Sequence, residues 1–280
     1  KRLDIGLRKR NLKIFRILLI LAFVCTNGAH ALYEKSKINT RENLGIEDAE
    51  YRREFCSPGM KEDRDEWSDS CLSFLEKVER DSVYFPIPES VADQTLTVSY
   101  VDSWMANREY KGKSRHEGTD IMADKNERGL YPVISISDGM ITNLGWLEKG
   151  GYRIGITSPS GVYYYYAHLR QNYPYREQLK EGDVVTAGDV IGYMGHTGYS
   201  TKENVNNIDT VHLHFGLQLI FDEAQKEGNN EIWVDCYNLT RFLYKNRSAV
   251  QKVGESREWK RTLQMTDPAV VKYQKTVKKQ

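Results

Sequence analysis

The sequence predicts a mainly β protein: an antiparallel β-sheet domain with a helical N-terminal region and a short C-terminal helix. Three observations carry that expectation. In residues 211–219, apolar Val211, Leu213, Phe215, Leu217 and Leu219 alternate with His212, His214, Gly216 and Gln218. This is the two-residue period of a strand packing one face on a core. Tight-turn sequences, Ser137-Asp138-Gly139, Ser158-Pro159-Ser160-Gly161, Glu181-Gly182-Asp183 and Ala187-Gly188-Asp189, separate short apolar runs. Those runs, at 95–101, 133–137, 140–144, 152–158, 161–169, 184–185, 190–194 and 211–221, are too short and too closely spaced for crossover connections, so the sheet is expected to be antiparallel.

The flanks differ from this body. Residues 33–83 are charged and contain two helix-compatible runs, 42–51 and 65–78, interrupted by Ser57-Pro58-Gly59. They form either a stalk or an extension packed on the domain. At the other end, Leu239, Phe242 and Leu243 make a helical apolar stripe with Asn238 as the expected N-cap. A basic tail, 251–280, follows the expected domain of 84–250.

Charge is unevenly distributed. The net value of +1 combines +6 over residues 1–16, +5 over 251–280 and −10 over the remainder. A body of that sign offers no basic face for nucleic acid. Seven basic residues precede the apolar run 17–25, and Ala29-His30-Ala31 follows. Residues 1–32 therefore read as a signal peptide or a membrane anchor, which places the body outside the cytoplasm. Cys56 and Cys71 lie close enough to pair after export, or remain two thiols. Cys236, after Trp233-Val234, reads as a buried small apolar residue.

The alternation at 211–219 puts His212 and His214 on one strand face, about 7 Å apart. Upstream, His116 and Asp120 are four residues apart, with Gly118 and Thr119 between them favouring an extended segment or turn over a helix. Three ligands drawn from His, Asp or Glu with a place left for water are the usual set for catalytic zinc. His168, within Tyr166-Ala167-His168-Leu169, adds a group suited to proton transfer near neutral pH. Strand alternation places Tyr164, Tyr166 and His168 on one face and Tyr163 and Tyr165 on the other, so the tyrosine run reads as core and groove packing. Glu117 is expected to point away from the site, and His30 and His196 read as ordinary surface or hydrogen-bonded residues.

The order of these pieces, His116 to Asp120, Tyr166 to Leu169, the Gly-rich stretch Gly182 to Gly198, then His212-Leu213-His214-Phe215, resembles the M23 peptidases, the lysostaphin-type zinc endopeptidases that cut peptidoglycan peptides. The resemblance covers roughly residues 84–247. It implies the lysostaphin-type peptidase architecture, one zinc ion held by His116, Asp120 and His214, and catalytic roles for His168 and His212. It further implies peptidoglycan peptides as partners. Tyr110 stands where some relatives carry a tyrosine near the developing oxyanion; packing is the other reading of it. Residues 202–209, polar and Asn-rich, depart from the family pattern and read as a longer loop at the mouth of the site. Some relatives of this fold serve as wall-associated scaffold modules, for example in sporulation channels, which is the alternative function.

Overall fold

The computed structural model describes residues 64–228 and 230–262, all within one compact unit. The 1–32 segment, the expected helix at 42–51, the Cys56–Cys71 question and the tail after residue 262 lie outside the described residues.

The expectation of a mainly β, antiparallel domain holds. The central sheet contains Val98–Tyr100 (β1), Thr119–Ala123 (β2), Gly139–Leu147 (β3), Gly151–Thr157 (β4), Tyr163–Ala167 (β5), Val184–Val185 (β6), His212–Gln218 (β7) and Trp233–Val234 (β8). Its order is β6-β3-β4-β5-β7-β2-β1, with β8 pairing the far end of β7, and every pair is antiparallel. β7 is central. It lies between β5, where His214 pairs with Ala167, and β2, where His214 pairs with Asp120. One sequence thus sets two registers at the same residue.

The alternation in β7 sorts its side chains as expected. Leu213, Phe215 and Leu217 are buried in the main core with Ile121, Ile141, Ile154, Ile156, Tyr164 and Tyr166. Tyr166 shows how that core stays polar-satisfied. Its ring is fully buried, and its hydroxyl accepts a 3.1 Å hydrogen bond from the Ile136 amide. Tyr166→Phe keeps the ring but strands that amide, at a cost of about 1–3 kcal/mol. A drop in melting temperature of several degrees, at roughly 2–4 °C per kcal/mol for a domain of this size, is the expected result of a thermal scan.

The helix expected at 65–78 runs from Arg64–Asp81 (α1). Phe74, Leu75 and Val78 at its end are buried in the main core, so this part of the extension is packed rather than free-standing. The C-terminal helix spans Tyr237–Leu243 (α2). Its N-cap is Cys236 and not Asn238: the helix begins earlier than the apolar stripe, and the Asp235 carboxylate accepts from the Tyr237 amide at 2.9 Å. Paired chain continues past Val250. Strand Ala249–Lys252 lies between Glu89–Ser90 and Trp259–Arg261 in a small separate sheet. Among the described residues no helix is long and apolar enough to cross a membrane.

Candidate metal centre and its surroundings

Strand pairing builds the site. Because Asp120 on β2 is the register partner of His214 on β7, the two side chains rise from adjacent positions on the same sheet face. His116, in the turn before β2, closes the group. His116 Nε2, Asp120 Oδ1 and His214 Nδ1 form a triangle with sides of 2.9, 3.0 and 3.0 Å. Two separated chain segments, 116–120 and β7, therefore present three ligand atoms to a common point.

The tautomers make that point a place for a cation. His116 Nδ1 lies 3.0 Å from the Ser103 carbonyl oxygen, which can only accept. The ring proton sits on Nδ1, and Nε2 offers a lone pair. Asp120 is an acceptor as well. Burial pushes its carboxyl up, but the His116 and His214 rings against Oδ1 and the nearby His212 ring outweigh burial and hold it well below the usual carboxylate range. Lone pairs facing one another at 3 Å repel unless a positive charge lies between them, so the donor set fits a divalent ion of the zinc type.

Gly118 makes room for this arrangement. A Cβ there would sit 2.6 Å from two atoms of the His214 ring and 2.7 Å from the Phe215 carbonyl oxygen. Gly118→Ala is expected to keep the fold but tilt His214, lowering metal affinity about tenfold or more. Chelator competition together with a circular dichroism spectrum checks both halves of that statement.

Two further imidazoles stand beside the triad. His212 is buried, with Nε2 3.9 Å from Asp120 Oδ1. His168 is buried too, and its ring centroid lies 4.7 Å from that of His212 and 5.8 Å from that of His214. Each gives its Nδ1 proton to a carbonyl, His212 to Thr210 at 2.9 Å and His168 to Thr197 at 2.8 Å. Both Nε2 atoms are left as bases. Burial is the main cause that lowers both pKa values, well below the ordinary histidine range for His168.

That depression has a consequence for stability. The unfolded chain takes up protons near pH 6.5 that the folded chain refuses, so their contribution is present above that pH and falls away below it. Metal-free protein should lose melting temperature on going from about pH 7.5 to 5.5. His168→Gln should flatten the slope, and an equal slope in both proteins would refute this assignment.

The tyrosine faces are the reverse of those expected for the site. Tyr163, Tyr165 and Ala167 pair with Gln218, Gly216 and His214 and so lie on the His214 face, whereas Tyr164 and Tyr166 go into the core. His168 escapes its alternation because β5 ends at Ala167 and His168 takes φ +59°. The left-handed turn swings the imidazole to the site face. A non-glycine residue there costs on the order of 1–3 kcal/mol, met locally by bonds from its own amide to Gly150 O and from Nδ1 to Thr197 O.

Tyr110 stacks on Tyr199 with ring centroids 4.8 Å apart, and its hydroxyl is engaged by Glu148. Tyr199, not singled out by the sequence, is the ring beside His168, at 5.9 Å. Its position depends on φ +47° and on Asn207 Nδ2 donating to its carbonyl. The 202–209 segment is thus a braced loop. Gln171 donates to Asn204 O, Tyr152 to Glu203, and His196 Nδ1 to Ile208 O, a structural role for His196. Arg108 was also missed: its Nη2 bonds Asp120 Oδ2 at 2.6 Å. Glu117 is half-buried, and burial raises its carboxyl. Cys236 is fully buried, touching Thr119 Oγ1 and the Phe215 carbonyl oxygen.

Residues 114–231 match the model of peptidase family M23. A solved structure from Ruminococcus gnavus ATCC 29149, provisionally named a glycyl-glycine endopeptidase LytM, is 49% identical. It aligns over 66% of this chain and 68% of its own, with a TM-score of 0.54. The chain belongs to peptidase family M23. An L-Ala–D-Glu endopeptidase of Bacillus subtilis (strain 168) is 38% identical over 42% of this chain and 34% of its own length. A glycyl-glycine endopeptidase of Staphylococcus capitis is 42% identical over 30% and 20%. The chain spans about a third or less of the length of these two curated relatives.

Proposed function

We propose that the chain is an exported zinc endopeptidase that hydrolyses peptide bonds in peptidoglycan stem or cross-link peptides, with His116, Asp120 and His214 holding one zinc ion. The convergence of three ligand atoms within 3.0 Å, flanked by two imidazoles with free Nε2 atoms, carries this reading. Bound there, the ion supplies Lewis-acid polarisation of a peptide carbonyl and a water acidified toward neutral pH. The protein's own groups do the rest. Nε2 of one of the two, His212 or His168, neutral because it is buried, takes a proton from the attacking water, and the imidazolium so formed returns that proton to the leaving amine; the other ring, when its Nε2 carries a proton, steadies the oxyanion. Their Nδ1–H···O=C bonds to Thr210 and Thr197 fix each ring so that Nε2 faces the reaction. Residues 1–32 serve either as a cleaved signal that releases the domain or as a membrane anchor that keeps it beside the wall.

The test is a digest of purified peptidoglycan with the full chain, reading new amino termini and product masses with and without a chelator. Chelator-sensitive release of peptides is expected. No cleavage, with a protein partner retained instead, would favour a scaffold role and end the enzyme reading.

A further inference from the structure

The hairpin before the site carries a cationic group that the reaction described above does not use. Strands Asn107–Glu109 and Lys113–Arg115 pair with Arg108 opposite Ser114. Alternation turns Asn107 and Glu109 to the other face of the hairpin, so Glu109 does not neutralise Arg108. The guanidinium gives one bond, from Nη2, to Asp120 Oδ2, the oxygen that the metal triangle leaves over. Yet 34% of the Arg108 side chain remains open to solvent. A guanidinium has five N–H donors in a planar fork, so this one can bond Asp120 with one edge and still present donors at the mouth of the site.

The surroundings extend the positive charge away from the metal. Tyr199 senses the charges of both Arg108 and Asp120. It stacks on Tyr110, and Lys111 Nζ lies over the Tyr110 ring at 5.7 Å. Beyond it is a cavity of about 290 Å³ lined by Tyr110, Lys111, Lys113, Ser114, Glu148 and Lys149. Three ammonium groups there face one carboxylate, Glu148, which Lys111 already engages at 2.7 Å. From Asp120 outward this surface therefore carries a net positive charge beside two stacked tyrosines.

We propose that Arg108, supported by Lys111 and Lys149, binds a carboxylate of the substrate peptide and makes the enzyme selective for an acidic residue beside the bond that is cut. This rests on the endopeptidase reading and deepens it. A carboxylate on the peptide is favoured over a phosphate on a wall polymer because Arg108 is bonded to Asp120 itself. A group that reaches it is within the reacting centre and belongs to the molecule being cleaved. The planar fork also matches a carboxylate edge to edge.

The experiment reads binding before cleavage. The full chain with His168→Gln, loaded with zinc, is titrated with an acetyl-Ala-Glu-Lys-Ala amide and with its twin carrying Gln in place of Glu. The native chain then hydrolyses the same pair. The Glu peptide is expected to bind about tenfold more tightly, and the ratio should shrink as salt rises through a Debye length of about 10 Å toward 3 Å. Arg108→Gln should bring the ratio near one while zinc is retained in chelator competition; Arg108→Lys should restore part of it; Lys111→Gln, remote from Asp120, should reduce it. Equal binding of the two peptides by the parent protein overturns the proposal. So does a polyglycerol phosphate that displaces the Glu peptide, since this surface would then be reading polymer. A retained ratio without hydrolysis leaves this site standing and removes the endopeptidase reading instead.

Discussion

Replacing His214 with Ala is expected to abolish zinc binding and to cut hydrolysis by about a thousandfold or more. The magnitude follows from what is removed. A Lewis acid contributes several kcal/mol to the transition state of an acyl transfer, and each 1.36 kcal/mol is a factor of ten in rate. His214 Nδ1 is one of three atoms in a triangle about 3.0 Å on a side, so its loss leaves two ligands, too few for a catalytic zinc site. The ring also supports its neighbours: it packs at 4.9 Å from the His116 ring and 6.1 Å from Tyr165. Zinc content and release of wall peptides, measured on the same preparation, decide the matter. Wild-type values of both would remove His214 from the site.

The second large effect separates chemistry from metal binding. His168→Ala should keep zinc at one per chain yet lower kcat by about 10²–10⁴, the range for a lost general acid or base. The reason is positional. His168 touches none of the triangle's three edges, but its ring lies 4.7 Å from His212 and 5.8 Å from His214. Its Nδ1 proton is committed to Thr197 O, leaving Nε2 for proton transfer. Because a left-handed residue is being replaced, His168→Asn, which tolerates that conformation better, is the companion variant. Both should show low kcat with KM little changed. A fall in zinc occupancy matching the fall in rate would instead make His168 a structural support.

What the sequence disclosed divides along physical lines. The alternation of β7 was legible because one face is packed on a continuous core while the other faces the site; burial of Leu213, Phe215 and Leu217 leaves a period-two trace in the residues themselves. The spacing of His116 and Asp120 was legible for a similar reason, since ligand chemistry restricts residue type. The route by which His168 arrives was not. Alternation assigns it to the core face with Tyr164 and Tyr166, and only the φ of +59° moves it. A backbone torsion at a non-glycine residue leaves no mark in composition.

Arg108 and Tyr199 were hidden for another reason. Tyr199 acts through Tyr110 and His168, far along the chain, and Arg108 through Asp120, 12 residues on, and neither sits in a recurrent spacing. Asn238 was misplaced as a cap because the apolar stripe of α2 starts after the helix does; the first turn is set by Asp235 accepting from Tyr237. The strands at Ala249–Lys252 and Trp259–Arg261 went unseen because they are short, and the first of them pairs in parallel with Glu89–Ser90 across most of the domain. Gly118 was read as a helix breaker, when its sharper meaning is the 2.6 Å approach of the His214 ring.

The most direct test of the whole account is a zinc titration of the metal-stripped full chain against a competing chelator, with wall-peptide release followed at each point. One ion per chain is predicted, with hydrolysis rising in proportion to occupancy and with Asp120→Ala binding at least a hundredfold more weakly, about 2.7 kcal/mol. A metal-free chain that digests at the full rate, or an Asp120→Ala chain that takes up zinc as tightly as the parent, would contradict it.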